Sequence, residues 1–143
     1  MLQKYFTVSW QSWAGSLAIL VLRIVVGSAF MFHGFGKIQN PFGWMGPDAG
    51  MPAILQALAA ISEFGGGFAW ALGLLTPLAS LGILSTMAVA VHTHMIVRGD
   101  PFIGAKGGPA YELALVYLSI GLVLITVGPG RFSLDRLIFG EKK

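Results

Sequence analysis

Four long apolar stretches, separated by polar segments rich in glycine and proline, set the pattern of this chain. The first, Leu17 to Lys37, reads LAILVLRIVVGSAFMFHGFGK, and about 20 apolar residues are enough for a helix to cross a bilayer. On a helix turning about 100° per residue, Arg23, Gly27, Phe30, Gly34 and Lys37 fall on one stripe. The second stretch opens at Met51-Pro52, where proline suits a first helical turn. Along it Gln56, Ala59, Glu63, Gly67 and Trp70 share a face. Thr76-Pro77 reads as a very short connection to a third stretch, in which Ser85, Ala88 and His92 line one side while His94 lies about 200° away. The fourth, Ala110 to Val127, aligns Glu112, Ser119 and Thr126 and is stopped by Gly128-Pro129-Gly130. This pattern predicts an all-α fold, an integral membrane bundle of four antiparallel transmembrane helices over residues 14–35, 52–75, 78–97 and 110–127. Residues 1–143 form one domain, and residues 128–143 are read as a C-terminal interfacial tail carrying a short surface helix.

Composition reinforces the membrane reading. The 143 residues are 55% hydrophobic and only 10% charged, against about 25% charged in ordinary soluble domains. The net charge of +3 comes largely from Arg131, Arg136, Lys142 and Lys143 in the tail, so it suits anionic lipid and is not a nucleic-acid footprint. Tyr5, Phe6, Trp10 and Trp13 precede the first span as an interfacial segment. No small-x-small cleavage site follows the first apolar run, and that helix is expected to be retained. Four spans put both termini on one side. The basic residues outside the spans number five on that side (Lys4, Arg131, Arg136, Lys142, Lys143) and three on the other (Lys37, Arg98, Lys106). The positive-inside rule then predicts a multi-pass protein of the cytoplasmic (inner) membrane with both termini cytoplasmic.

The chain contains no cysteine, which excludes disulfides, Cys-ligated iron–sulfur clusters and dithiol exchange by this chain alone. No metal site is expected. Gly65-Gly66-Gly67 follows no strand and reads as helix packing, not as a phosphate loop. The polar residues inside the apolar stretches carry what chemistry there is. A lipid-facing arginine at mid-depth costs at least about 2.5–3.5 kcal/mol, so Arg23 must face protein. Its expected partner is Glu63, in an interhelical ion pair. The sharper reading makes Glu63 a proton-exchanging group whose state depends on Arg23 staying in place. His33, Lys37 and Glu112 converge at one level near the outer surface, with a histidine from the third helix. Only one of His92 and His94 can face inward; His92 is carried as the candidate, and the choice between the two stays open.

The residues Arg23 with Gly27, His33-Gly34-x-x-Lys37, Glu63-x-x-Gly66-Gly67 with Gly73-Leu74-Leu75-Thr76, Glu112-Leu113-Ala114-Leu115, and Gly128-Pro129-Gly130 followed by Ser133-Leu134-Asp135 form an ordered set. By this set the chain resembles the DoxX family of small four-helix membrane proteins over nearly its whole length. The resemblance implies a link to membrane-associated oxidoreductase systems, including a relative of a thiosulfate:quinone oxidoreductase subunit, and hence partner proteins of a redox complex. In that setting the expected cofactor is a quinone. Its headgroup would be bound in the outer half by His33 and Lys37 as donors, with Arg23 and His92 as further binding candidates. Glu63 and Glu112 are the expected catalytic, proton-handling groups. A b-type haem between His33 and a helix-three histidine is disfavoured, because a bis-histidine haem needs room that a small bundle lacks. The alternative to a redox subunit is a non-catalytic anchor or assembly subunit whose polar cluster serves structure alone, or merely snorkels to the interface. A solute transporter is the weakest reading, since no inverted repeat or paired broken helix is evident.

Overall fold

The computed structural model describes residues 3–141, with side chains from residue 5 onward. Lys4, Lys142 and Lys143, three of the five basic residues counted on the side of the termini, lie outside the described side chains. The structure is all-α. A short helix α1 (Gln3–Phe6) is followed by the long α2 (Trp13–Gln39), α3 (Ala53–Leu72), α4 (Thr76–His92), α5 (Glu112–Val127) and a short α6 (Leu134–Phe139). A π-helical turn, Thr93–Val97, prolongs α4. Among the described residues the extended pairing is an isolated parallel bridge between Val8 and Glu141. Two segments, Trp13–Gln39 and Thr76–Val97, at 27 and 22 residues, are long and apolar enough to cross a membrane.

The start of α2 and the turn between α3 and α4 have local causes. Ser12 caps α2 by accepting a hydrogen bond from the Gly15 N–H at 3.1 Å, an orphan donor of the first turn. Gly73 ends α3 in the left-handed region, φ 64°, where glycine has no Cβ to clash. Leu75 follows with φ 47°, a conformation that costs a non-glycine residue about 1–2 kcal/mol. Its N–H donates to Asp135 Oδ1 at 2.6 Å, and the Thr76 N–H donates to Oδ2 at 2.8 Å. The carboxylate from the tail therefore holds the strained turn and caps α4. Thr76 and Pro77 belong to the first turn of α4, so the connection is Gly73–Leu75 instead of Thr76-Pro77.

α2 packs on α3, α3 on α4, and α4 on α5. The α2–α3 seam is built from glycines: a Cβ on Gly27 would strike the Gly67 carbonyl and Ala71 backbone, and one on Gly34 would strike the Phe64 backbone. Small residues let helices approach this closely, which is how packing is gained where lipid removes the hydrophobic drive. The core is Val26, Phe30, Trp70, Ile83, Met87 and Leu124. Phe30 sets its ring edge-on to Trp70 at 5.5 Å, and the Trp70 indole N–H reaches Ser80 Oγ at 2.9 Å. The outer faces remain apolar, with Leu17, Val21, Val25, Phe32, Leu58 and Leu81 exposed.

The two ends of the chain meet. Phe6 and Phe139 have ring centroids 5.1 Å apart, and the Val8 N–H donates to the Gly140 carbonyl at 3.0 Å. The tail does more than lie on a surface: Ser133 and Asp135 are buried against the α3–α4 turn, while Leu137 and Ile138 of α6 stay exposed.

Candidate functional site

Two polar constellations occupy the helix interior, one around Arg23 and one around Glu63, and the expected Arg23–Glu63 ion pair does not form. Arg23 is 1% exposed. Its Nε donates to the Trp70 carbonyl at 2.8 Å, its Nη2 to the Ala71 carbonyl at 3.2 Å, and its Nη1 to the carbonyls of Pro129 and Phe132. The guanidinium thus satisfies the Ala71 carbonyl, adds a second bond to the Trp70 carbonyl that already accepts from the Gly73 N–H, and ties the C-terminus of α3 to the segment after α5, in the place a cation favours at a helix end. Gly73 makes room for it, since a Cβ there would sit 2.7 Å from Arg23 Cζ. Asp135 is the acidic group whose charge reaches Arg23. This is a staple, and Arg23 lines neither of the two clefts beside Glu63.

Glu63 pairs with Lys37. Lys37 Nζ lies 2.6 Å from both carboxylate oxygens, with the Glu63 side chain 4% and the Lys37 side chain 25% exposed. Helix geometry explains the change of partner: one face of α3 carries Glu63 and Trp70 two turns apart, and α2 meets it with Lys37 at one level and Arg23 at the other. The Trp44 ring covers the ammonium, its centroid 4.5 Å from Nζ, a favourable cation–π placement. Trp44 is fixed in turn by its indole N–H, which donates to the Gln56 carbonyl at 2.9 Å. The Gln56 side chain accepts from the Met45 N–H and donates to the Met51 carbonyl, so one buried amide anchors the loop between α2 and α3.

His94, not His92, faces inward. The buried stripe of α4 is Ser80, Ile83 and Met87, and its helical continuation through Ala90 is His94. His92 is exposed alongside Ser85 and Ala88. Ser85 had marked that side as polar, but its hydroxyl donates to the Leu81 carbonyl of its own helix at 2.9 Å, so it needs no interior partner. The same correction applies to α5. Ser119 and Thr126 donate to Leu115 and Leu122 carbonyls, their line faces outward, and Glu112 is exposed with them. His94 Nδ1 lies 2.7 Å from Asp100 Oδ2. Asp100 is held by the π-helical turn, its N–H donating to the His94 carbonyl at 2.8 Å. The continuing α4 stripe is the signal that marks His94; nothing at sequence level pairs it with Asp100.

Lys37, Glu63 and His94 form the shared wall of two clefts. One, of about 240 Å³, is lined also by Phe30, His33 and Tyr117; His33 is exposed at its edge, with its ring 6.1 Å from Tyr117. The other, of about 570 Å³, runs between α3 and α4 under Trp44, a size within the about 300–1,000 Å³ of small-molecule sites. Its apolar walls include Leu55, Leu58 and Val89, all exposed on the outer faces of α3 and α4, so it opens sideways. Of the expected site residues, Glu63, Lys37 and His33 come together here; Arg23, His92 and Glu112 do not. Among the described residues there is no group of three His, Cys, Asp or Glu side chains that holds a metal ion.

Comparison with known proteins identifies a family for this chain. The DoxX family model matches residues 18–96. The inner membrane protein YqjF of Escherichia coli is 29% identical over 131 residues, covering 85% of this chain and 92% of that protein. An uncharacterised membrane protein of Mycobacterium tuberculosis is 31% identical over 134 residues, covering 85% of this chain and 82% of the relative. A Bacillus subtilis protein named "Putative oxidoreductase CatD" is 28% identical over 129 residues, covering 89% and 91%. No solved structure matches. With the model covering more than half the chain, its apolar helices and membrane-protein relatives agree: this chain is a membrane protein belonging to the DoxX family.

Proposed function

We propose that the protein crosses the cytoplasmic membrane four times as an antiparallel bundle, both termini inside. In this reading it serves a membrane-associated oxidoreductase system, with partner proteins, by binding a quinone ring from the bilayer. The meeting of the two chain ends supports an even number of crossings, and the basic-residue count supports the orientation. The Lys37–Glu63–His94 wall then lies toward the outer surface. A cysteine-accessibility tag after Lys143 is expected to be labelled only once the cell membrane is permeabilised. Labelling of intact cells would invert the topology.

One observation carries the quinone reading: a buried carboxylate paired with a partly exposed ammonium and a carboxylate-oriented histidine share the wall of a lateral, largely apolar cleft. A ring enters such a cleft from lipid while its tail stays among Leu55, Leu58 and Val89. Histidine and carboxylate are the groups that exchange protons with a quinol near neutral pH. The relationship to a protein named as an oxidoreductase points the same way. Haem is the poorer fit, since the cleft that His33 and His94 share is about 240 Å³, below the range for even drug-sized ligands.

Titration of the detergent-solubilised protein with a short-tail benzoquinone tests this. The melting temperature of the wild type is expected to rise with ligand concentration, as it does for any ligand of the folded state. Lys37→Met should blunt that rise. If the ligand leaves the wild type unmoved while the substitution lowers its melting temperature without ligand, the cluster is structural and the protein is an anchor.

A further inference from the structure

Resting on the quinone reading, we infer that the lateral cleft selects the reduced, hydroxyl-bearing ring over the oxidised one, through an acceptor at His94 Nε2. The argument is a count of committed hydrogen-bond groups. Lys37 Nζ has three N–H donors; two are engaged by the Glu63 oxygens at 2.6 Å, and the ammonium lies against the Trp44 ring. The Trp44 indole N–H is engaged by the Gln56 carbonyl. Thr86 donates to its own helix at Gly82, and Ser85 to Leu81. The donors on the inner wall of this cleft are therefore largely in use, and His33, the other donor expected to hold a quinone carbonyl, lines the smaller cleft and not this one.

The acceptors are not. Ionised Asp100 only accepts, so His94 Nδ1 at 2.7 Å must carry the proton of the neutral ring. That leaves Nε2 with a lone pair, and Nε2 has no hydrogen-bond partner among the described residues. Glu63, also on the cleft wall, is acceptor-only as well and retains lone pairs beyond those Lys37 uses. The Ser62 and Thr93 hydroxyls can serve either role, and Arg98 at the exposed rim is the remaining strong donor. The inner wall thus asks its ligand for a hydroxyl. A quinol offers one; a quinone meets lone pair against lone pair.

The test is calorimetric titration of the solubilised full chain, under argon, with tetramethyl-1,4-benzoquinone and with its hydroquinone. The hydroquinone is expected to bind about three- to tenfold more tightly, the worth of one neutral hydrogen bond. His94→Phe should erase the preference. Asp100→Asn, close to isosteric, lets the ring carry its proton on Nε2 and should shrink or reverse it, which a merely structural Asp100 would not do. Equal affinities, tighter binding of the quinone, or an unchanged preference in His94→Phe would overturn the inference while leaving a quinone site in place. Binding of neither ring would remove both.

Discussion

Arg23→Ala is expected to lower stability by about 3–5 kcal/mol, as much as truncating a large buried aromatic side chain. The guanidinium donates to four carbonyls drawn from two parts of the chain, and charged hydrogen bonds are worth about 1.5–3 kcal/mol each, more where removal strands a buried acceptor. Non-additivity keeps the total well below the sum. Arg23→Lys should recover only part of the loss, because one ammonium cannot span the fork that joins Trp70 and Ala71 to Pro129 and Phe132. Thermal unfolding in detergent measures both. The loss should appear first as release of the tail from the α3–α4 turn, since Asp135 and Ser133 are held beside the same guanidinium. Proteolytic trimming after Val127 would then precede global unfolding. A loss below about 1 kcal/mol would mean that the tail is not fastened by Arg23.

Lys37→Met is expected to cost about 3 kcal/mol. Breaking a buried pair strands the other charge at about 3–5 kcal/mol, and the partial exposure of Lys37 puts this case at the low end. Among the described residues Glu63 has no second hydrogen-bond donor, so its carboxylate must stay unpaired or take up a proton. The double variant with Glu63→Ala should recover much of the loss, giving a coupling energy of about 2–3 kcal/mol in a double-mutant cycle. The same cycle run on Arg23 and Glu63 should be additive within about 0.5 kcal/mol, since the two share no partner. Coupling in the second cycle and additivity in the first would restore the pairing that helix phase alone suggests.

That reversal shows where sequence reasoning holds. The stripe Arg23, Gly27, Phe30, Gly34 is buried on α2, and Gln56, Glu63, Gly67 and Trp70 are buried on α3. Charge and close-packing glycine on the same helical face leave one choice, because neither an arginine nor a carboxylate can face hydrocarbon cheaply. On α4 and α5 the markers were hydroxyls, and these mislead. Ser85, Ser119 and Thr126 turn their protons onto carbonyls of their own helices and sit on the outer face at little cost. In water the polar face of a helix points outward and the period identifies the core. In lipid both faces are apolar, and a weakly polar line carries no direction.

The chain by itself therefore determined its helices, its membrane character, its family and the two faces on which strong charges lie, all properties that follow from segment length, composition and local spacing. Tertiary structure alone decided the partners. Arg23 meets carbonyls more than a hundred residues away, at Pro129 and Phe132, because the chain returns after α5 to close the α3–α4 turn. Lys37 meets Glu63, and His94 meets Asp100, because helix offset and a π-helical turn set the depth of each side chain. Periodicity records the angle of a residue around its helix; which neighbour stands at the same height is fixed only when the helices pack.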